Sequence, residues 1–202
     1  MDETIMNDYE DYIRIQVEVH GAVDKPAKYG KGERKAIDWF FNDIDKNLRI
    51  LDLGCGSGVG VEYLIFKGYE NVVGIDINSK KVAVATSKLL PVFQRDLRTV
   101  EFKDFDIVWS SHSFEHMYDP VEALDVLKQI TRPDAEFFFV MPYVDTGDES
   151  AHCSSHEIGL RENDRGKSVR EWFSNQGLVC ITQVMDDYRE PEIWLKLAKY
   201  DE

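Results

Sequence analysis

ILDLGCGSGVG, residues 50–60, is the stretch around which the rest of the chain organises itself. Ile50, Leu51 and Leu53 are apolar, as in a buried strand, and Asp52 is a lone acid near the strand's end. Gly54, Gly56, Gly58 and Gly60 then alternate with other residues. Glycine lets the backbone turn through positive φ and lets a ligand approach the main chain closely. Glycines at this density, after a strand and before an apolar helix pattern, predict a strand–loop–helix that holds a small molecule. The Asp52 carboxylate there would repel phosphate and attract a cation.

The dinucleotide fingerprint G-x-G-x-x-G is the nearest rival. Counted from Gly54 and Gly56, its third glycine would fall on Val59; counted from Gly56 and Gly58, on Val61. Both readings fail, which opposes an NAD-dependent oxidoreductase. The form D-x-G-x-G-x-G instead resembles the first motif of class I S-adenosylmethionine-dependent methyltransferases. The resemblance implies that the loop, with Gly54, Cys55 and Gly56, packs against the methionine part of S-adenosylmethionine, and that Asp52 lies near its ammonium.

Outward from the loop, strands and helices alternate. A helix near 58–68 is followed by a strand at 72–76, a helix near 79–89, and short strands at 92–96 and 106–110. Asp119, Pro120 and Glu122 read as an N-cap, a first-turn proline and a third-position acid. That helix runs to about Thr131. Residues 136–141 (EFFFVM) form a solid apolar strand, as expected of one buried on both faces. After a helix near 167–176, segments 178–185 and 193–199 have only a loop between them and must pair antiparallel. The expected fold is α/β: a Rossmann-like three-layer sandwich whose mostly parallel seven-stranded sheet has one antiparallel C-terminal strand. Residues 1–202 read as one domain, with 1–32 as a candidate N-terminal lid and a helix expected over 33–44.

The remaining site residues sit at strand ends. Asp76 lies about 20 residues past the glycine loop, where an acid bonds ribose hydroxyls in doubly wound folds; a helix N-cap is the alternative, although Asn78 or Ser79 already supplies one. The resemblance implies that Ile77 would lie against the adenine. By resemblance, Asp96 accepts the adenine amino group beside Leu97, the alternative being a turn or cap aspartate. The resemblance also implies that Ser111 and His112 line the floor under the sulfonium, with His116 near the mouth and Glu115 beside it. His112 and His116 have the i, i+4 spacing of metal ligands, but a third convergent ligand is not evident, and no metal is expected. The long loop 143–164 holds His152, Cys153, His156 and Glu157 and reads as part of a substrate wall. His116 and His156 are the candidate general bases.

The formal net charge of -14 opposes binding to a phosphate backbone. No apolar run approaches the roughly 20 residues of a membrane span. Cys55, Cys153 and Cys180 are an odd, scattered set, suited to a reducing cytoplasm, and the acidic start MDETIMNDYEDY is unlike a leader. The expected activity is methyl transfer by direct displacement from S-adenosylmethionine to a small metabolite or sugar. The alternatives are a non-catalytic S-adenosylmethionine- or S-adenosylhomocysteine-binding protein, and a protein or nucleic-acid methyltransferase. The Asn/Asp-Pro-Pro-Tyr signature of amino methylation is missing; Met141-Pro142-Tyr143 is not that signature.

Overall fold

A computed structural model describes residues 9–19, 27–144 and 155–200, apart from the side chain of His156. Its strands are β1 (Ile50–Leu53), β2 (Val72–Asp76), β3 (Val92–Gln94), β4 (Phe105–Ser111), β5 (Thr131–Pro142), β6 (Leu178–Asp186) and β7 (Glu192–Lys199). They form one sheet in the order β3-β2-β1-β4-β5-β7-β6. The first five run parallel, and β7 pairs antiparallel with both β5 and β6. The expected architecture is therefore borne out, including the terminal hairpin.

The helices are α1 (Tyr9–Val19), α2 (Ala27–Phe40), α3 (Val59–Phe66), α4 (Ser79–Ser87), α5 (Pro120–Ile130), the short α6 (Ser155–Ile158) and α7 (Lys167–Asn175). Local chemistry sets several ends. Asn78 caps α4 by accepting from the Lys80 and Lys81 backbone N–H groups. Asp119 caps α5 by accepting from Glu122 N–H, with Pro120 in the first turn.

Alternating residues sort onto two cores. Leu51, Leu53, Val108, Phe137, Phe139 and Met141 face one side, with Leu124 and Leu127 of α5 and Phe173 of α7. Ile50, Ile107, Trp109, Phe138, Val140 and Trp194 face the other, with Ile37 and Phe40 of α2 and Val61 and Leu64 of α3. The continuous apolar run of β5 follows from its place between β4 and β7, with a core on each side.

β5 starts five residues earlier than the apolar run at 136–141, α6 interrupts the loop expected over 143–164, and two helices near the cavity also differ from the sequence expectation. α2 covers 27–40 rather than 33–44. Gly30 and Gly32 weaken the helical signal at its start, yet Gly32 is buried, and a Cβ there would stand 2.2 Å from Cδ of Arg189. The glycine admits a side chain from 157 residues further along the chain. α1 went unread because its buried face is small, Tyr12 and Gln16 one turn apart. Its rings pack against Tyr118, with Tyr9 at 5.6 Å and Tyr12 at 5.5 Å between centroids.

Candidate active site

The carboxyl ends of β1, β2 and β4 open onto a cavity of about 740 Å³, closed from above by α1 and α2. Parallel strands place their C-terminal ends together, and ligands of doubly wound folds sit there. Of the expected residues, Gly54, Cys55, Gly56, Asp76, Ile77, Asp96, Leu97, Ser111, His112 and His116 all reach this cavity.

At the glycine loop, Gly54 and Gly56 take φ of +69° and +55°, left-handed values that favour glycine. The Gly54 and Cys55 N–H groups both donate to the Ile75 carbonyl, tying the loop to β2. Asp76 completes the tie: it accepts from Gly56 N–H at 2.9 Å and from Asn78 N–H at 2.7 Å. Each carboxylate oxygen keeps further acceptor capacity toward the cavity. A Cβ on Gly56 would meet only Cδ of Lys81, at 3.8 Å, so that face of the loop is open. Cys55 contributes main chain, for its thiol points into the core; a Cβ on Gly74 would meet Cys55 Sγ at 2.8 Å.

Asp52 departs from the simple expectation. It does not line the cavity but lies buried behind the loop, level with Gly74 on β2 and Trp109 on β4. Its Oδ2 has no hydrogen-bond partner among the described residues. Burial pushes the Asp52 carboxyl well above its usual range, and Glu33 and Asp76 push it the same way.

Asp96 caps the 3₁₀ turn at Leu97–Thr99 through Arg98 N–H, and it also faces the cavity. The Tyr9 hydroxyl donates to its Oδ2 at 2.7 Å. Burial and then this bond to Asp96 raise the Tyr9 phenol far above its ordinary value.

His112 stands at φ +53°, an uncommon conformation for histidine. Its Nε2 donates to Glu192 Oε1 at 2.9 Å, and Nδ1 lies 3.3 Å from Glu190 Oε1. Glu192 also accepts from Arg189, at 2.5 and 3.2 Å, and from Trp194 Nε1 at 2.9 Å. Burial alone would raise the Glu192 carboxyl, but the hydrogen bonds from His112 and Arg189 overcome it and hold it at about 2. Burial pushes His112 below its ordinary value, and the Glu192 hydrogen bond, pulling the other way, does not overcome it. The sequence grouped His112 with Glu115 and His116; the structure adds Glu190 and Glu192, whose ligating atoms fall within 4.8 Å of His112. With Glu192 already engaged by Arg189 and Trp194, the cluster is an ion network. His116 Nε2 lies 3.5 Å from the buried Glu115.

Glu33, Arg189, Glu190 and Glu192 were missed by sequence reasoning. Each is a charged residue in a polar stretch with no motif around it. His156 lies in α6, but its side chain, like His152 and Cys153, is outside the described residues.

Residues 51–139 match a family described as a methyltransferase domain. A ubiquinone biosynthesis O-methyltransferase of Aromatoleum aromaticum is 31% identical over 117 residues, 51% of this chain and 48% of that protein. The chain thus spans about half the length of the curated relatives it matches. Among solved structures, a SAM-dependent methyltransferase from Aquifex aeolicus superposes with a TM-score of 0.69 at 18% identity, over 92% of this chain and 98% of that one. A 1,6-didemethyltoxoflavin-N1-methyltransferase of Burkholderia thailandensis gives 0.73 at 13% identity, over 100% and 94%. These two are likenesses of fold. The parallel sheet ended by β7, the glycine loop pinned by Asp76 and the match of residues 51–139 to a methyltransferase domain agree, and the fold is that of the S-adenosylmethionine-dependent methyltransferases on which the chain superposes.

Proposed function

We propose that this chain transfers the methyl group of S-adenosylmethionine to a small-molecule acceptor, a metabolite or a sugar. The observation that carries the reading is one continuous cavity with two chemically different ends. One end is the glycine loop with Asp76, Ile77, Asp96 and Leu97; the other is Ser111, His112, His116 and Glu190. The first end fits the cofactor on two counts: Gly56 is open toward the cavity, and the orphaned Asp52 oxygen behind the loop awaits a cation.

Asp76 would take the ribose hydroxyls, Ile77 and Leu97 the adenine faces, and Asp96 the adenine amino group. Gly54, Cys55 and Gly56 would present main chain to the methionine part, with Asp52 behind its ammonium and Ser111 beneath the sulfonium. When bound, the cofactor supplies a methyl group already activated on sulfur. The protein's own contribution is then alignment and exclusion of water, for which orientation can supply about 7–11 kcal/mol. Tyr9, Tyr12 and Gln16 of α1 line the cavity, which supports α1 as a lid over it.

An acceptor hydroxyl must lose its proton. His112 is the better supported acceptor of that proton: Glu192 fixes the Nε2–H tautomer, which leaves Nδ1 as the basic nitrogen. His116 is a second candidate on the same wall. Arg189 is occupied by Glu192, and Glu190 faces the cavity, so a neutral or cationic acceptor suits this end better than a phosphate. The net charge of -14 disfavours nucleic acid on the same ground. No described helix is long and apolar enough to cross a membrane, and free thiols at Cys55 and Cys180 support a cytoplasmic setting.

The test is production of S-adenosylhomocysteine from S-adenosylmethionine with a panel of phenols, sugars and amines. Turnover with a member of that panel is expected. A folded protein that ignores S-adenosylmethionine and binds NAD would sink the reading.

A further inference from the structure

His112 has a carboxylate at each ring nitrogen. Glu192 Oε1 accepts from Nε2 at 2.9 Å, and Glu190 Oε1 stands 3.3 Å from Nδ1. β5 brings them together: His112 N–H donates to the Val140 carbonyl at 2.8 Å, and Pro142 of the same strand pairs with Glu192. The two sides of the ring differ. Glu192 is buried, and Arg189 neutralises it while reaching Ser111 Oγ at 3.4 Å. Glu190 lines the cavity with 32% of its side chain exposed. The cations of that neighbourhood are engaged elsewhere, Arg189 with Glu192 and Lys28 Nζ with the Arg189 carbonyl at 3.2 Å. Glu115 Oε1, buried and 3.9 Å from Nδ1, places a further carboxyl on that side.

Burial holds His112 below its ordinary value, so its imidazole is neutral at neutral pH, and with Nε2–H given to Glu192 its Nδ1 carries a lone pair. At the cavity wall a lone-pair nitrogen and a carboxylate oxygen thus face one another across 3.3 Å. Two acceptors so placed repel until a donor enters between them. A hydroxyl has one hydrogen to give and no charge. An ammonium has hydrogens for both acceptors and the charge that offsets the carboxylate. The net charge of -14 favours the approach of a cation over that of an anion. A divalent ion fits less well, although ligating atoms of His112, Glu190 and Glu192 fall within 4.8 Å of one another. The two carboxylates approach different ring nitrogens, and Glu192 is held by Arg189 and Trp194, which leaves such an ion short of ligands.

We infer that the acceptor is a primary or secondary amine, bound as its ammonium by Glu190 and deprotonated by His112. This rests on the proposed methyltransferase function and names the acceptor class of that site. One N–H of the ammonium donates to Glu190 Oε1 and another to His112 Nδ1. The second proton passes to Nδ1, and the imidazolium so formed lies between Glu190 and Glu192. The freed lone pair of the amine then forms a nitrogen–carbon bond to the methyl group, while the carbon–sulfur bond breaks and leaves its electron pair on sulfur. The positive charge thereby passes from sulfur to the methylated nitrogen, and His112 gives its proton to solvent once the products have left.

Acceptor pairs that differ in one group test the assignment: 2-phenylethylamine against 2-phenylethanol, and glucosamine against glucose. Their binding to the complex with S-adenosylhomocysteine is measured by calorimetry, and their turnover by S-adenosylhomocysteine formation from S-adenosylmethionine. The amine of at least one pair is expected to bind roughly 10- to 100-fold tighter than its alcohol, the factor of one charge-assisted hydrogen bond, and to be methylated on nitrogen. Glu190→Gln should raise KM for that amine by a similar factor, with a smaller change in kcat. His112→Asn should instead lower kcat, by roughly 10²- to 10⁴-fold, with the smaller change in KM. Binding of S-adenosylhomocysteine, at the other end of the cavity, checks that both variants fold. An alcohol that binds as tightly as its amine, or an amine whose KM ignores Glu190→Gln, overturns the proposal. So does activity lost to EDTA and restored by magnesium or zinc, and so does failure of both amines to bind the S-adenosylhomocysteine complex. Failure of the folded protein to bind S-adenosylhomocysteine overturns the proposed function itself.

Discussion

Replacing Asp76 by alanine separates a ribose ligand from a mere helix-start residue. Its carboxylate accepts two backbone N–H bonds, from Gly56 and Asn78, and so fixes the loop to the head of α4. Hydrogen bonds to a charged group contribute about 1.5–3 kcal/mol each, but Asp76 is only half-buried and water can replace part of the loss. Asp76 also pushes the Asp52 carboxyl upward, and its removal relieves that repulsion. The net cost to the free protein is therefore about 1–3 kcal/mol, at roughly 2–4 °C of Tm per kcal/mol for a chain of this size. Ligand binding loses the ribose contacts as well, about 1.5–3 kcal/mol or roughly 10- to 150-fold in Kd. Calorimetry at neutral pH should show the same factor for S-adenosylhomocysteine and 5′-methylthioadenosine, since both carry the ribose. Asp76→Asn, which keeps one acceptor oxygen, should fall between wild type and alanine. If the alanine variant melts lower yet binds both ligands unchanged, Asp76 is structural and the ribose assignment is wrong.

Glu192→Gln should destabilise the protein by about 3–5 kcal/mol in urea denaturation, because the buried Arg189 loses its countercharge; a loss under about 1 kcal/mol would contradict the network. Acid should act through the same groups: Glu192, held at about 2, contributes stability above the ordinary carboxylate range that is lost as the pH falls toward 2. His112, lowered by burial, adds a loss below its ordinary value near 6.5, because the unfolded chain takes up that proton first. Thermal melts from neutral to acid pH should fall throughout, and less steeply for Glu192→Gln below the carboxylate range. Gly32→Ala should destabilise by about 1–3 kcal/mol despite a helix-propensity gain of about 1 kcal/mol, since its Cβ would collide with Arg189. A raised Tm would show that Arg189 moves aside freely.

The strand–loop–helix at residues 50–60, the cap at Asp119 and the apolar run of β5 were legible in the sequence because each is a local signal. Glycine spacing, a capping acid and residue alternation are written within a few positions of the structure they specify. The hairpin of β6 and β7 followed from a short connection that allows only antiparallel pairing. α1 and the early start of α2 were not legible, since their packing partners lie far along the chain: Tyr118 for one and Arg189 for the other. The same holds for the charges that tune the site. Glu33, Arg189 and Glu192 look like ordinary polar surface when read in order. Only the tertiary structure, by setting α2 over Gly60 and β7 beside β5, brings Glu33 to Asp52 and Glu192 to a histidine 80 residues away. The sequence by itself determined the fold and the cofactor loop, which depend on local periodicity. The electrostatics of the site were decided by the tertiary structure alone, because burial and proximity belong to the folded chain and have no signature in any short stretch of it.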